Sequence, residues 1–167
     1  MRRSTSSPEI ELLLFTLDRA YERKSWHGAN LRGSIRGIRA AQAAWRPGSG
    51  RRSIADHTVH AAYWKYTVQR RLTAAPRGAF PLKGSNWIKL AEPLTEPQWR
   101  QYVRLLDTCH RDLRDHLAKL PANRLNEIPP GAKVTNLEVI TGIIAHDLYH
   151  AGQIQLLKRL WKQRRGA

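Results

Sequence analysis

Five consecutive residues near the C-terminus, His146-Asp147-Leu148-Tyr149-His150, carry the strongest chemical signal in this sequence. Two histidines four apart on a helix share a face, with Cβ atoms about 6 Å apart, so both imidazoles can ligate one metal ion. The pair falls inside an apolar stripe that also contains Val139, Ile143, Ile154, Leu157 and Trp161. An unsatisfied imidazole is costly there, and packing alone gains nothing from it. A lone pair of this kind is better explained as two hydrogen-bonded core histidines. Here a second pair, His57 and His60, stands three apart on another apolar face, and the combination favours a metal. Either residue can supply a third ligand, and spacing does not choose between them.

Three neutral imidazoles leave the fourth position of a tetrahedral ion open, the arrangement of catalytic rather than structural sites. An ion held that way lowers the pKa of a bound thiol or water. Zinc, nickel, cobalt and copper all suit three histidines. The residue after His146 is Asp147, so the metalloprotease pattern His-Glu-x-x-His, with its general base, is absent. Asp147 is expected to face solvent or to support the ligands from outside. Gln153, two turns after His146, could hydrogen-bond a ligand, and Asn86 and Trp87 could close over the site. For these three, ordinary packing is the favoured reading. His27 could approach from the first helix, although its Trp-His-Gly turn needs no metal to explain it. His110 lies at the edge of its stripe and His116 off it, and neither is given a role. Cys109 is the single cysteine, which excludes an intramolecular disulfide and a Cys-rich zinc module. Its apolar neighbours suit a buried, inert thiol.

The elements that must position these residues are helices. No segment alternates with period two, and apolar residues recur at three and four. Four long segments open with recognisable caps: Ser7 followed by Pro8, Ser53 with Asp56, Thr95 with Gln98, and Thr135 with Glu138. The first carries Ile10, Leu13, Leu14, Leu17, Ala20 and Tyr21. After an interruption at Ser25-Trp26-His27-Gly28, Leu31, Ile35 and Ile38 resume as a short helical piece. The second carries Ile54, His57, His60, Ala61, Trp64, Val68 and Leu72 and ends by Ala75-Pro76-Arg77-Gly78. A long connection to Pro93 follows, of a length that is often functional or forms a lid. The third holds Trp99, Tyr102, Leu106, Cys109, Leu113, Leu117 and Leu120 up to Pro121. The fourth runs to about Gln163. The expectation is an all-α four-helix bundle with a short extra helical piece after helix 1. It is read as one domain over 8–167, preceded by a disordered segment at 1–7.

The chain has 167 residues, with 29 Lys+Arg against 13 Asp+Glu and a formal charge of +16. That balance raises nucleic acid or another polyanion as a partner. The basic residues are spread along the chain, however, and no zinc-finger, zipper or RNA-binding aromatic pattern accompanies them. A solvated basic surface is the preferred reading, favouring an anionic small-molecule substrate only as a general field. The apolar run at residues 12–17 is too short for a signal peptide or a membrane span, so a cytoplasmic protein with no membrane partner is expected. Aromatic residues such as Trp161 near the chain end would suit a homodimer.

The stretch from His146 to Ile154, with Ala151-Gly152-Gln153 after the second histidine, resembles the last-helix motif of the DinB-like (YfiT-like) metal-dependent proteins. Ser53-Ile54-Ala55-Asp56-His57-Thr58-Val59-His60, with Tyr63-Trp64 after it, is similar to the family's second-helix motif. Trp26-His27-Gly28 looks like the ending of its first helix. The resemblance spans nearly the whole chain. It implies a four-helix bundle holding one ion, usually zinc or nickel, and places the ligands at His60, His146 and His150, with His57 as a neighbour. Some relatives transfer groups to low-molecular-weight thiols such as bacillithiol or mycothiol, and another branch isomerises maleylpyruvate. The resemblance therefore implies a metal-dependent enzyme, foremost a thiol S-transferase. The alternatives are a non-catalytic metal-binding stress or sensor protein and, third, a basic nucleic-acid-binding protein.

Overall fold

Each long helix begins where its capping residues place it. Ser7 accepts the Ile10 backbone N–H at 3.4 Å and opens α1 (Pro8–Tyr21). Full capping boxes open α4 (Ile54–Leu72) at Ser53 and Asp56, α5 (Glu96–Leu117) at Thr95 and Gln98, and α6 (Asn136–Gln163) at Thr135 and Glu138. Each box satisfies two backbone donors that the first helical turn would leave bare, and such a cap contributes about 1 kcal/mol. This computed structural model describes residues 7–78 and 80–164. The segment 1–6, most of the stretch expected to be disordered, lies outside the described residues, while Ser7 is an ordered cap.

Two short helices, α2 (Leu31–Ser34) and α3 (Ala40–Ala44), stand where one helical piece was expected. Gly37 adopts φ +73°, a left-handed conformation that ends the run before Ile38 can extend it. The pair is tied to the bundle by polar contacts. The Trp99 indole N–H donates to the Ile38 carbonyl at 2.7 Å, Glu96 accepts the Ala40 N–H at 2.9 Å, and Lys158 donates to the Ser34 carbonyl at 3.0 Å. A 3-10 turn, Ala122–Asn126, links α5 to α6.

Apolar burial falls into two clusters, one at each end of the bundle. The first joins the start of α4 (Ile54, Val59), the start of α5 (Trp99, Leu106) and the end of α6 (Ile154, Leu157). The second joins the end of α4 (Val68, Leu72), the end of α5 (Leu113, Leu117), the start of α6 (Val139, Ile143) and the N-terminal half of α1. Helices α4 and α5 therefore run parallel, with α1 and α6 antiparallel to them. Parallel neighbours need a connection that travels the length of the bundle. That requirement explains the long segment between Leu72 and Thr95, whatever else it does. Among the described residues no helix is long and apolar enough to cross a membrane.

Candidate metal centre

Residues 57, 60 and 64 recur on α4 at helical spacing and face α6 across the antiparallel seam. The N-terminus of α4 is pinned just before them. Asp56, 4 % exposed, completes the capping box and receives the Arg46 guanidinium, which also reaches Glu92 at 3.3 Å. On α6, His146 and His150 lie one turn apart. His60 Nε2 stands 3.1 Å from His146 Nε2, and His150 Nε2 stands 3.0 Å from the same atom. One ring nitrogen from each of the three lies within 4.8 Å of the others. His57 takes a different position: its Nδ1 meets His150 Nδ1 at 2.9 Å, on the far side of that ring.

The α4–α5 connection covers this cluster. Asn86, at φ +58°, reverses the chain so that its carbonyl accepts the His60 Nδ1–H at 3.2 Å. Asparagine tolerates this left-handed region better than most residues. Its side-chain oxygen accepts the Trp64 indole N–H at 3.0 Å. The Trp87 ring stacks on His60, with centroids 3.8 Å apart and planes 9° from parallel, and Arg52 lies over the outer face of that indole at 4.7 Å. For Asn86 and Trp87 the sequence favours ordinary loop packing. Instead, the loop packs on the histidines themselves.

Proton counting limits what the cluster can be. A carbonyl only accepts, so His60 carries its proton on Nδ1 and turns a bare Nε2 lone pair toward His146. If His146 Nε2 is protonated it can serve His60 but cannot accept from His150. If it is bare, it faces the His60 lone pair. One of the two short contacts is always left unmatched. Burial, the main cause, depresses the pKa of all four imidazoles. His57 and His146 fall to about 4, His150 falls to about 2, and His60 is lowered from its ordinary value. Neutral histidines with converging lone pairs and no carboxylate among them are a donor set for a cation. Nitrogens about 2.0–2.1 Å from a tetrahedral zinc would stand about 3.3–3.4 Å apart, close to the two short spacings that His146 makes here. The residues present fit such an ion.

The remaining candidates are placed less centrally. Gln153 is half-buried on α6, and His27 is exposed in the turn after α1. Among the described residues neither makes a ring contact or hydrogen bond to the cluster. Trp161, expected to be an exposed aromatic, is half-buried and meets Trp45 edge-on at 5.7 Å.

A second polar group, unexpected from the sequence, lies beside the first. Lys65 and Asp147 are both 0 % exposed and form an ion pair at 2.5 Å, so Asp147 faces neither solvent nor the ligands. Lys65 Nζ also reaches His110 Nδ1 at 3.3 Å and lies 4.9 Å over the Tyr21 ring, which stacks on His110 at 3.6 Å. Tyr21 donates to Asp107 at 2.5 Å, and Arg32 closes the chain on that carboxylate at 2.8 Å. Every long helix contributes to this knot, α5 through both Asp107 and His110, and α2 adds Arg32. A signal was available: Lys65 falls in register with Ala61, Val68 and Leu72, and His110 with Leu106, Leu113 and Leu117. Asp147 likewise falls in register with Ile140, Ile143, Ala151 and Ile154. Cys109 is buried as expected, its thiol pushed up to about 12 by that burial.

Residues 24–154 match the DinB superfamily, and the chain belongs to it. A crystal structure of a conserved protein from Enterococcus faecalis has a similar fold, with a TM-score of 0.64 at 17% identity. The alignment covers 90% of this chain and 95% of that one. No curated protein matches the chain.

Proposed function

We propose that this member of the DinB superfamily binds one divalent transition metal ion, zinc or nickel, through His60, His146 and His150, and acts as a metal-dependent enzyme on a small molecule. The observation that carries this reading is the convergence of three neutral imidazoles within 4.8 Å, on two antiparallel helices. An ion with an open fourth position lowers the pKa of a thiol or water bound there. The surrounding residues hold the ligands in place. Asn86 fixes the His60 tautomer and aims its Nε2 inward, and His57 braces the His150 ring from behind. Trp87 keeps water off the His60 face.

No carboxylate belongs to the histidine cluster, since Asp147 is committed to Lys65. A water nucleophile would thus lack a neighbouring base. A free thiol, with a pKa of about 8.5, is already far more acidic than water and ionises at the ion without one, so thiol transfer is the preferred chemistry and hydrolysis the weaker one. A non-catalytic role in metal binding is the second reading, favoured by the ring of Trp87 lying flat over His60.

Elemental analysis of tag-free protein, beside His60→Ala, His146→Ala and His150→Ala, tests the metal. About one equivalent of a transition metal, lost in each variant, is expected. Protein that carries none and refuses added zinc and nickel would end the proposal. Metal-loaded protein is then assayed for conjugation of a low-molecular-weight thiol to an electrophile. Bound metal without turnover would leave the non-catalytic reading.

A further inference from the structure

Between His57 and Ala91 the chain has no aspartate or glutamate, yet it carries six lysines and arginines. Four of these, Arg70, Arg71, Arg77 and Lys83, line one cleft of about 490 Å³ between the outer face of α4 and the α4–α5 connection. That volume is in the range of about 300–1,000 Å³ in which small organic molecules are held. Among the described residues none of the four has a carboxylate partner. Arg70 gives one N–H to the Ala75 carbonyl at 3.2 Å, while the buried Nε of Arg71 has no hydrogen-bond partner at all. Like charges gathered without a counter-ion repel, and a buried donor left bare is costly. A bound anion relieves both.

Aromatic rings line the same cleft. Phe80 meets Tyr63 edge-on at 5.4 Å and lies 5.4 Å from Tyr66, so three rings form a continuous apolar surface next to the cations. Trp64 and Ser85 complete the lining nearest the histidine cluster. Trp64 is therefore a shared wall, with the cleft on one side and His60 on the other, its ring centroid 6.4 Å from that imidazole.

We propose that this cleft binds a small molecule carrying a phosphate-type dianion on a planar aromatic body, a nucleotide-like ligand. The guanidinium groups of Arg71 and Arg77, with Lys83, take the anion, and the rings of Tyr63, Tyr66 and Phe80 take the planar part. The site does not depend on a metal at the histidines.

The test uses full-length protein as isolated, in about 0.15 M salt to screen the general positive field, with adenosine diphosphate as the calorimetric probe. Saturable binding of one probe per chain is expected. It should weaken roughly tenfold or more in Arg71→Gln with Arg77→Gln, the loss expected for charge-assisted hydrogen bonds. Arg77 and Lys83 are both exposed, so Arg77→Gln with Lys83→Gln weakens binding without disturbing α4. Arg159→Gln with Lys162→Gln removes equal charge from the far end of α6 and should change binding by less than about twofold. His146→Ala should bind as the parent does. Four results would overturn the proposal: no saturation, equal losses in cleft and control pairs, loss of the probe in His146→Ala, or binding of a short oligonucleotide but not of the probe.

Discussion

Two buried polar clusters of this bundle lie side by side on α4 and α6, and they solve the same problem in opposite ways. The knot around Lys65 brings its own counter-charge. Asp147 faces the ammonium, both are sealed from solvent, and every long helix adds at least one residue. The histidine cluster brings only bases. Its members are neutral, their lone pairs converge, and the proton count cannot satisfy both short contacts. The ion pair carries its own counter-charge as folded, even with Asp147 Oδ1 and His110 Nε2 left without hydrogen-bond partners, whereas a ring of bare acceptors is completed by a cation. Residues adjacent in sequence, His146 and Asp147, belong to the two different solutions because one residue along a helix is 100° around it.

Breaking the knot should have the largest effect. Lys65→Met leaves a buried carboxylate without its partner and should destabilise the fold by about 3–5 kcal/mol, read from urea unfolding. Adding Asp147→Leu should recover most of that loss, since an apolar pair of similar volume often replaces a buried ion pair at little cost. In metal-free protein, His146→Ala should shift stability by only about 1 kcal/mol. Equal losses in Lys65→Met and His146→Ala would erase the distinction between a self-sufficient group and an open one.

Acid sharpens the comparison. In the unfolded chain histidine titrates near 6.5, but burial holds His57, His110, His146 and His150 well below that in the fold. Above about pH 7 both states are neutral and nothing is lost. As pH falls below about 6.5 the unfolded chain takes up protons that the folded chain refuses. Stability should then fall by about 1.4 kcal/mol per pH unit for each such group. Urea midpoints of metal-free protein between pH 7.5 and pH 5 would show this slope. His110→Phe keeps a ring against Tyr21 and should lower the slope by one proton. An unchanged slope would mean that His110 takes up a proton inside the knot.

The smallest effect should come from the cover over the histidines. Trp64→Phe removes one hydrogen bond, to the exposed Asn86, and should cost about 1 kcal/mol or less. Its signature is local: earlier proteolysis within the α4–α5 connection at nearly unchanged global stability.

Much of this was legible in the sequence. The caps at Ser53, Thr95 and Thr135 are short-range chemistry, written in residues three apart, and each starts its helix where expected. His146 and His150 share a face by helical period alone. The break at Gly37 was not legible, because a glycine inside an apolar pattern does not announce which conformation it adopts. The partnership of Lys65, Asp147 and His110 was not legible for a related reason. A charged residue on a wide apolar face reads as the edge of that face until its partner, on another helix, is known.

By itself, then, the sequence determined four amphipathic helices, their starting points and the pairing of two histidines on one of them. These follow from interactions within a few residues, which any chain with these residues in this local order carries with it. The tertiary structure alone decided that α4 runs parallel to α5 and antiparallel to α6. That arrangement carries His60 to His146 and Lys65 to Asp147, and it lays Trp87 over the cluster. Those contacts join residues more than 20 apart in the chain, and only the burial of the apolar faces against one another selects them.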